Sequence, residues 1–185
     1  MRKNLGAKSW IYPEPVIVVA AYDEKGNANA MTAAWGGVSD TNELGLCLSA
    51  SHKTVKNILI NKCFTASCAT VDTMVACDYV GMVSGNDEAN KLEKCGFHTI
   101  KAENVNAPII EELPFALECE LKSYDENTGH LFAKIVNVSV DEKVMCDSKV
   151  DINKLRPIIY DGGNHTYNVV GKEVGLAYQE YKKIK

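Results

Sequence analysis

The apolar positions of this chain fall into short blocks separated by turn-forming residues. Residues 15–21, PVIVVAA, form a run rich in β-branched side chains, which predicts a buried strand. The polar stretch 23–29 follows, and its Lys25-Gly26-Asn27 supplies residues that tolerate positive φ. Residues 29–35 then return as a second strand, so 15–35 is predicted to be a hairpin. Residues 43–50 and 63–69 predict a third and a fourth strand. Two long alternating runs, Leu113 to Tyr124 and His130 to Val140, are joined by DENTG and predict a second hairpin, with Asn127-Thr128-Gly129 in its turn.

Helical periodicity is confined to short segments. Thr54 is placed to cap a helix whose Val55, Ile58 and Leu59 share one face. Asp72 as cap and Gly81 as terminator predict a helix over 72–80. Asn86 and Gly96 frame another over 87–95, and the tail, 173–183, predicts a modest amphipathic helix. Many antiparallel strands with a few short helices, and no βαβ alternation, predict a mainly β protein: a closed barrel with helical decoration.

Composition narrows the class. A chain of 185 residues predicts one domain, 1–185. With 46% hydrophobic and 24% charged residues it is ordinary globular material rather than a disordered chain. A net charge of −4 lacks the footprint of a nucleic-acid-binding protein. No run approaches the roughly 20 apolar residues that cross a bilayer, and Val16–Ala21 is too short and too late for a signal-peptide core. A cytoplasmic location without membrane association is expected. The seven cysteines, 47, 63, 68, 77, 95, 119 and 146, include no CxxC pair and lie mostly in apolar runs. They read as reduced thiols of the core, with Cys95 and Cys146 the most exposed by local composition. The four histidines, 52, 98, 130 and 165, have no ligand spacing, so no metal site is expected.

Two segments carry candidate chemistry. Ser49-Ala50-Ser51-His52-Lys53-Thr54 leaves a strand and opens a helix. Free N–H groups at a helix start, two hydroxyls and the Lys53 cation together suit one phosphate monoester; the same residues also suit a plain cap with a solvated lysine. Asn29-Ala30-Met31-Thr32-Ala33-Ala34-Trp35 carries small residues where a barrel strand would ordinarily carry bulky ones. Small side chains let a planar heterocycle approach the backbone, or let a helix pack closely against an edge strand. The stretch 157–167, PIIYDGGNHTY, reads as a polar aromatic loop that either lines a pocket or forms a surface turn. There is no Rossmann fingerprint, P-loop or nucleophile elbow.

In their order and spacing these segments resemble the flavin reductase-like family of FMN-binding split barrels, in its flavoredoxin-type branch. The resemblance runs from Pro15 to about Tyr178. It includes Asp78-Tyr79-Val80-Gly81 with Ser84-Gly85, then Leu155–Tyr160, Tyr167 and Gly171. It implies a six-stranded Greek-key split β-barrel, a homodimer and an FMN cofactor. Asn29, Ala30, Met31, Thr32, Ala33, Ala34 and Trp35 would then flank the isoalloxazine. Ser49, Ala50 and Ser51 would border the ribityl chain beside His52, and Lys53 and Thr54 would hold the phosphate. Many relatives carry Arg where this chain has Lys53, a point charge that cannot grip phosphate in a fork. The implied activity is NAD(P)H-dependent flavin oxidoreduction, with electrons passing from NADH, NADPH or a protein donor to flavin or another small acceptor. No side chain is assigned as an obligatory acid or base. The alternative is a non-enzymatic FMN-binding module that exchanges electrons with a protein partner.

Overall fold

The computed structural model describes residues 1–184. In chain order the elements that build the body are β1 (Glu14–Pro15), β2 (Ile17–Tyr22), β3 (Ala28–Ala33), β4 (Gly36–Asp40), β5 (Glu43–Cys47), α1 (Lys53–Asn61), β6 (Cys63–Cys68), α2 (Met74–Met82) and α3 (Lys91–Lys94). They continue with β7 (Thr99–Lys101), β8 (Pro108–Ile110), β9 (Phe115–Tyr124), β10 (His130–Val140), β11 (Met145–Cys146), β12 (Lys149–Val150), α4 (Ile152–Leu155), β13 (Ile158–Asp161) and β14 (Thr166–Val169).

One antiparallel sheet of seven strands, ordered β3-β2-β6-β9-β10-β5-β4, forms the barrel. Its two marginal strands, β3 and β4, are consecutive in the chain and joined by Ala34-Trp35 with no ladder between them, so the barrel is split along that line. The count exceeds the expected six because Gly36–Asp40 extends the edge beside β5. That short strand has no apolar periodicity and is largely exposed, which hides it from pattern reading. The long strands β9 and β10 carry register shifts at Phe132/Ala133 and Ile135/Asn137, irregularities that bend a strand pair and help it curl.

Alternation along β2 explains its unbroken apolar sequence. Val19 and Ala21 point into the barrel with Leu46, Phe64 and Leu131, while Val18 and Ala20 point outward into a second core. That second core is covered by α2, by Leu92 of α3, by Ile110 of β8 and by Ile158 of β13. A strand buried on both faces has no position for a polar residue. The helix α1 closes the barrel end, placing Val55 and Ile58 in the first core.

Several predicted boundaries move, each for a local reason. The β2–β3 hairpin turns at Gly26, with φ of 82°. The N-cap of α1 is His52, and Thr54 lies inside the helix because its hydroxyl is taken by Asn29. α2 is preceded by Thr73, not capped by Asp72, and runs one residue past Gly81. The helix expected over 87–95 shrinks to Lys91–Lys94, although Gly96 stops it at φ 78° as expected. The strand expected over 43–50 leaves the sheet after Cys47, where Leu48 N–H turns to the Gly129 carbonyl. The tail forms only a single 3-10 turn, Glu180–Lys183, because Val174, Leu176 and Tyr178 find nothing to pack against and are all exposed. The polar loop over 157–167 is instead the hairpin β13–β14, whose half-buried Tyr160 and Tyr167 face each other across the ladder.

The split line depends on Gly36. A Cβ there would collide with the Leu46 side chain and lie 2.9 Å from the Gly45 carbonyl, whereas one at Gly37 would meet nothing. Gly36→Ala should therefore cost about 1–3 kcal/mol by overpacking, and Gly37→Ala should cost little. Urea unfolding of the two variants checks this. Equal losses would show that the joint tolerates the extra carbon.

Candidate functional site

The site is organised around β3. This strand pairs only with β2, so among the described residues its other edge is free of any ladder. α2 packs against its outer face: Thr32 Oγ1 donates to the Cys77 carbonyl at 2.5 Å, and a Cβ on Gly81 would lie 3.0 Å from Thr32 Cβ. Small residues on β3 and α2 are what this approach requires. The reading of the small-residue strand as one that a helix packs against therefore holds, and its unpaired edge borders open space.

Three adjoining cavities follow that strand. The largest, about 500 Å³, lies between β3, the Leu48–Ala50 segment and the Glu126–Gly129 turn. A second, about 350 Å³, lies on the α2 side and shares Thr32, Ala33 and Ala34 with the first. The third, about 170 Å³, shares Met31 and His52 with the first and ends against the start of α1. Together they make a bent trough whose total volume suits a cofactor-sized ligand.

The narrow end has the chemistry of an anion site. No side chain caps α1, and its first turn holds no acidic residue, so no group of its own first turn competes for the leading N–H groups and dipole at this end of the cavity. Asn29 Nδ2 donates to Thr54 Oγ1 at 2.6 Å in a fully buried contact that fixes the helix start to β3. Gly85 closes over this bond, and a Cβ on it would strike the Asn29 amide. Asn86 Nδ2 donates to the Ser51 carbonyl at 3.2 Å and holds the 84–86 loop in place.

Lys91 completes this end. Its side chain is 2% exposed, and its Nζ donates to the Val80 and Val83 carbonyls at 3.0 and 2.8 Å. Among the described residues no carboxylate pairs with it. Burial lowers its pKa from 10.5 to about 8. A dry ammonium bonded only to neutral carbonyls is costly unless an anion joins it. Burial, and behind it the Lys91 charge, also lowers the His52 pKa, which keeps the imidazole neutral at pH 7.

The predicted residues are brought together with two exceptions. Asn29, Met31, Thr32, Ala33, Ala34 and Trp35 border the trough, as do Ser49, Ala50, His52, Lys53 and Thr54. Ala30 points the other way and is buried in the second core. Ser51 lines none of the cavities; its hydroxyl lies 2.9 Å from Ser49 Oγ. The structure adds Lys91, Ser84 and Gly85 at the narrow end, the 126–129 turn at the wide end, and Cys47 beside Trp35. A buried lysine leaves no local mark in a sequence. The turn's Gly129 was legible as a hairpin glycine but not as a neighbour of Leu48, whose carbonyl a Cβ would meet at 2.9 Å.

The fold is that of a known group of proteins. The flavin reductase like domain family matches residues 9–164. The chain belongs to this flavin reductase-like family. Flavoredoxin of Desulfovibrio vulgaris (Miyazaki F) is 32% identical, with 97% of this chain and 98% of that one covered and a TM-score of 0.92. Flavoredoxin from Methanosarcina acetivorans is 26% identical over the whole of both chains, with a TM-score of 0.90. Nitrilotriacetate monooxygenase component B from Bacillus cereus shares the fold at 18% identity, covering 90% of this chain and 88% of that one, with a TM-score of 0.77. The split barrel is thus the family's architecture. No helix among the described residues is long and apolar enough to cross a membrane.

Lys91 makes a testable signature in this flavin reductase-like chain. Its folded pKa lies below its unfolded one, so below about 8 both states are protonated and the cost of the buried charge is present in full. As pH rises from about 8 toward 10.5 the folded state sheds its proton first, and ligand-free stability climbs. Urea unfolding at about pH 7 and about pH 10 should show wild type gaining on Lys91→Met at the higher pH. A gap that stays constant would remove the strained ammonium.

Proposed function

We propose that this chain binds FMN in the trough and works as a redox flavoprotein of the flavin reductase and flavoredoxin kind. The observation that carries this is the narrow end: a buried, unpaired ammonium beside an uncapped helix start and Lys53, a donor set for a terminal phosphate. The fit is chemical as well as spatial, since the phosphate supplies the anion that Lys91 lacks. The β3 edge offers backbone donors and acceptors to a flat heterocycle, and Ser49 offers a hydroxyl to the chain between ring and phosphate. Bound FMN would supply the hydride and electron chemistry, taking electrons from NADH or NADPH and passing them to flavin or another small acceptor. The protein's share is binding, orientation and exclusion of competing groups.

The thiols are poor candidates for that chemistry. Burial pushes Cys68 and Cys77 up to about 11 and Cys119 up to about 12, so all three stay protonated at neutral pH. Cys95 is half-buried, and its pKa too is raised by burial, so of the two thiols expected to be most exposed only Cys146 is open to solvent.

The purified protein should release FMN, not FAD, on boiling. Lys53→Ala should weaken FMN binding by about ten- to a hundredfold and barely change riboflavin binding, because it removes a charged contact to the phosphate alone. Fluorescence titration of both ligands reads this, and equal losses would place the phosphate elsewhere. Cys146→Ser should leave reduction by NADH or NADPH near its normal rate.

We also propose a two-fold homodimer. Trp35, Val38, Phe132 and Val138 are exposed on the barrel, and an apolar groove of about 270 Å³ lies under Pro15, Ile17 and Leu117. Exposed apolar surface beside an open sheet margin is material for a self-complementary interface. Light scattering at micromolar concentration should give twice the mass of one chain; a monomer with full FMN would count against it.

A further inference from the structure

The narrow cavity has a roof and a floor from distant parts of the chain. Ser84 and Gly85 form the roof; His52, Lys53 and Thr54 form the floor, with Lys91 between them. The two are joined on both sides. On the buried side Gly85 rests on the Asn29 amide, which is bonded in turn to Thr54 Oγ1. On the solvent side stands Asn86, which is exposed and lines none of the three cavities. Its Nδ2 donates to the Ser51 carbonyl at 3.2 Å and to Ser84 Oγ at 3.3 Å, and its Oδ1 accepts from Lys56 Nζ at 3.4 Å. Both polar atoms of the side chain are in use, and together they strap the roof to the floor from outside.

Ordering of the loop alone does not call for this strap. The loop is already held from within, where Lys91 Nζ bonds the Val80 and Val83 carbonyls. It is also turned by its own backbone, since the Asp87 and Glu88 N–H groups donate to the Ser84 carbonyl at 3.1 and 3.0 Å. The bond to Ser51 serves neither purpose; what it spans is the gap between roof and floor. A cavity of about 170 Å³ closed on both sides has room for one phosphoryl group, and a second would have to pass the strap. Charge is the rival explanation for such exclusion. Glu88 is paired with Lys94, but Asp87, next in the chain after Asn86, has no cation partner among the described residues.

We propose that Asn86 sets the ligand specificity of the narrow end. With the strap closed the cavity takes a single terminal phosphate and turns away a diphosphate, so a flavin mononucleotide seats and a flavin dinucleotide does not. The flavin half of this rests on the reading above, while the phosphate half stands on the cavity alone. Asn86 is a positioning residue: it touches no ligand and works by holding Ser84 and Gly85 against the floor.

The test titrates the ligand-free full chain with inorganic phosphate, pyrophosphate, FMN and FAD, following the Lys53 and Thr54 amide signals by NMR. Wild type should bind phosphate at least about tenfold more tightly than pyrophosphate, although pyrophosphate carries more charge, and FMN at least about tenfold more tightly than FAD. Asn86→Ala should bring the members of each pair within about threefold while changing FMN affinity itself by less than about threefold. Asp87→Asn leaves the strap closed and should keep both preferences. Loss of the preferences in Asp87→Asn but not in Asn86→Ala would assign the exclusion to charge and overturn the proposal. Equal binding of phosphate and pyrophosphate by wild type, unchanged preferences in Asn86→Ala, or an equal loss of all four ligands in that variant would overturn it too. A phosphate preference that Asn86→Ala removes, in a protein that takes up neither flavin, would uphold the strap and sink the flavin reading. FMN uptake without either preference would do the reverse.

Discussion

The close approach of α2 to β3 is the constraint on which the rest of the site depends. The helix lies near enough that Gly81 can carry no side chain without crowding Thr32, and the Thr32 hydroxyl bonds to a helix carbonyl. This packing covers one face of a marginal strand while leaving its edge unpaired. It also aims the C-terminal carbonyls of α2 at Lys91, which satisfies two of the three ammonium donors and leaves the charge beside the start of α1. One helix position thus sets the wall of the trough, the loop over its narrow end and the placement of its buried cation.

Burial without full satisfaction marks this end of the protein. The Asn29–Thr54 bond is closed and dry, so the floor is rigid. The helix N–H groups and the Lys91 charge are not closed, so the floor is incomplete. Such a balance is rare in a folded protein, where buried polar groups are ordinarily paired. Elsewhere the same chain shows what a finished buried charge looks like. Glu118, also almost fully buried, accepts from Asn104 N–H at 2.7 Å, from Asn104 Nδ2 at 3.2 Å and from Asn137 Nδ2 at 2.7 Å. That carboxylate is structural; Lys91 has no comparable set.

Both hairpins were legible because periodicity and turn glycines agree in them: Gly26 and Gly129 adopt the positive φ their turns need. Helix starts were misplaced by one to a few residues, since side chains that suit a cap were claimed by other bonds. Thr54 is held by Asn29, and Asn86 by Ser51 and Lys56. The β13–β14 hairpin escaped notice because its strands mix polar and aromatic residues, and their half-burial depends on α2 lying across from them. The tail failed in the opposite sense: it has helical periodicity but no surface to receive its apolar side. Lys91 sits between Asn90 and Leu92 and looks like any solvated lysine until the fold encloses it.

The free edge of β3 has a consequence for how such a site drifts over evolutionary time. A groove bordered by the main chain of an unpaired edge is written in side-chain volume rather than in side-chain identity. Between Ala30 and Ala34 only Thr32 makes a polar side-chain bond, and that bond goes to the helix and not to the trough. Lineages can therefore recode most of this strand among small residues while keeping the groove. The positions that resist change are the glycines and buried polar groups that hold the backbone in place, most of them outside the strand itself.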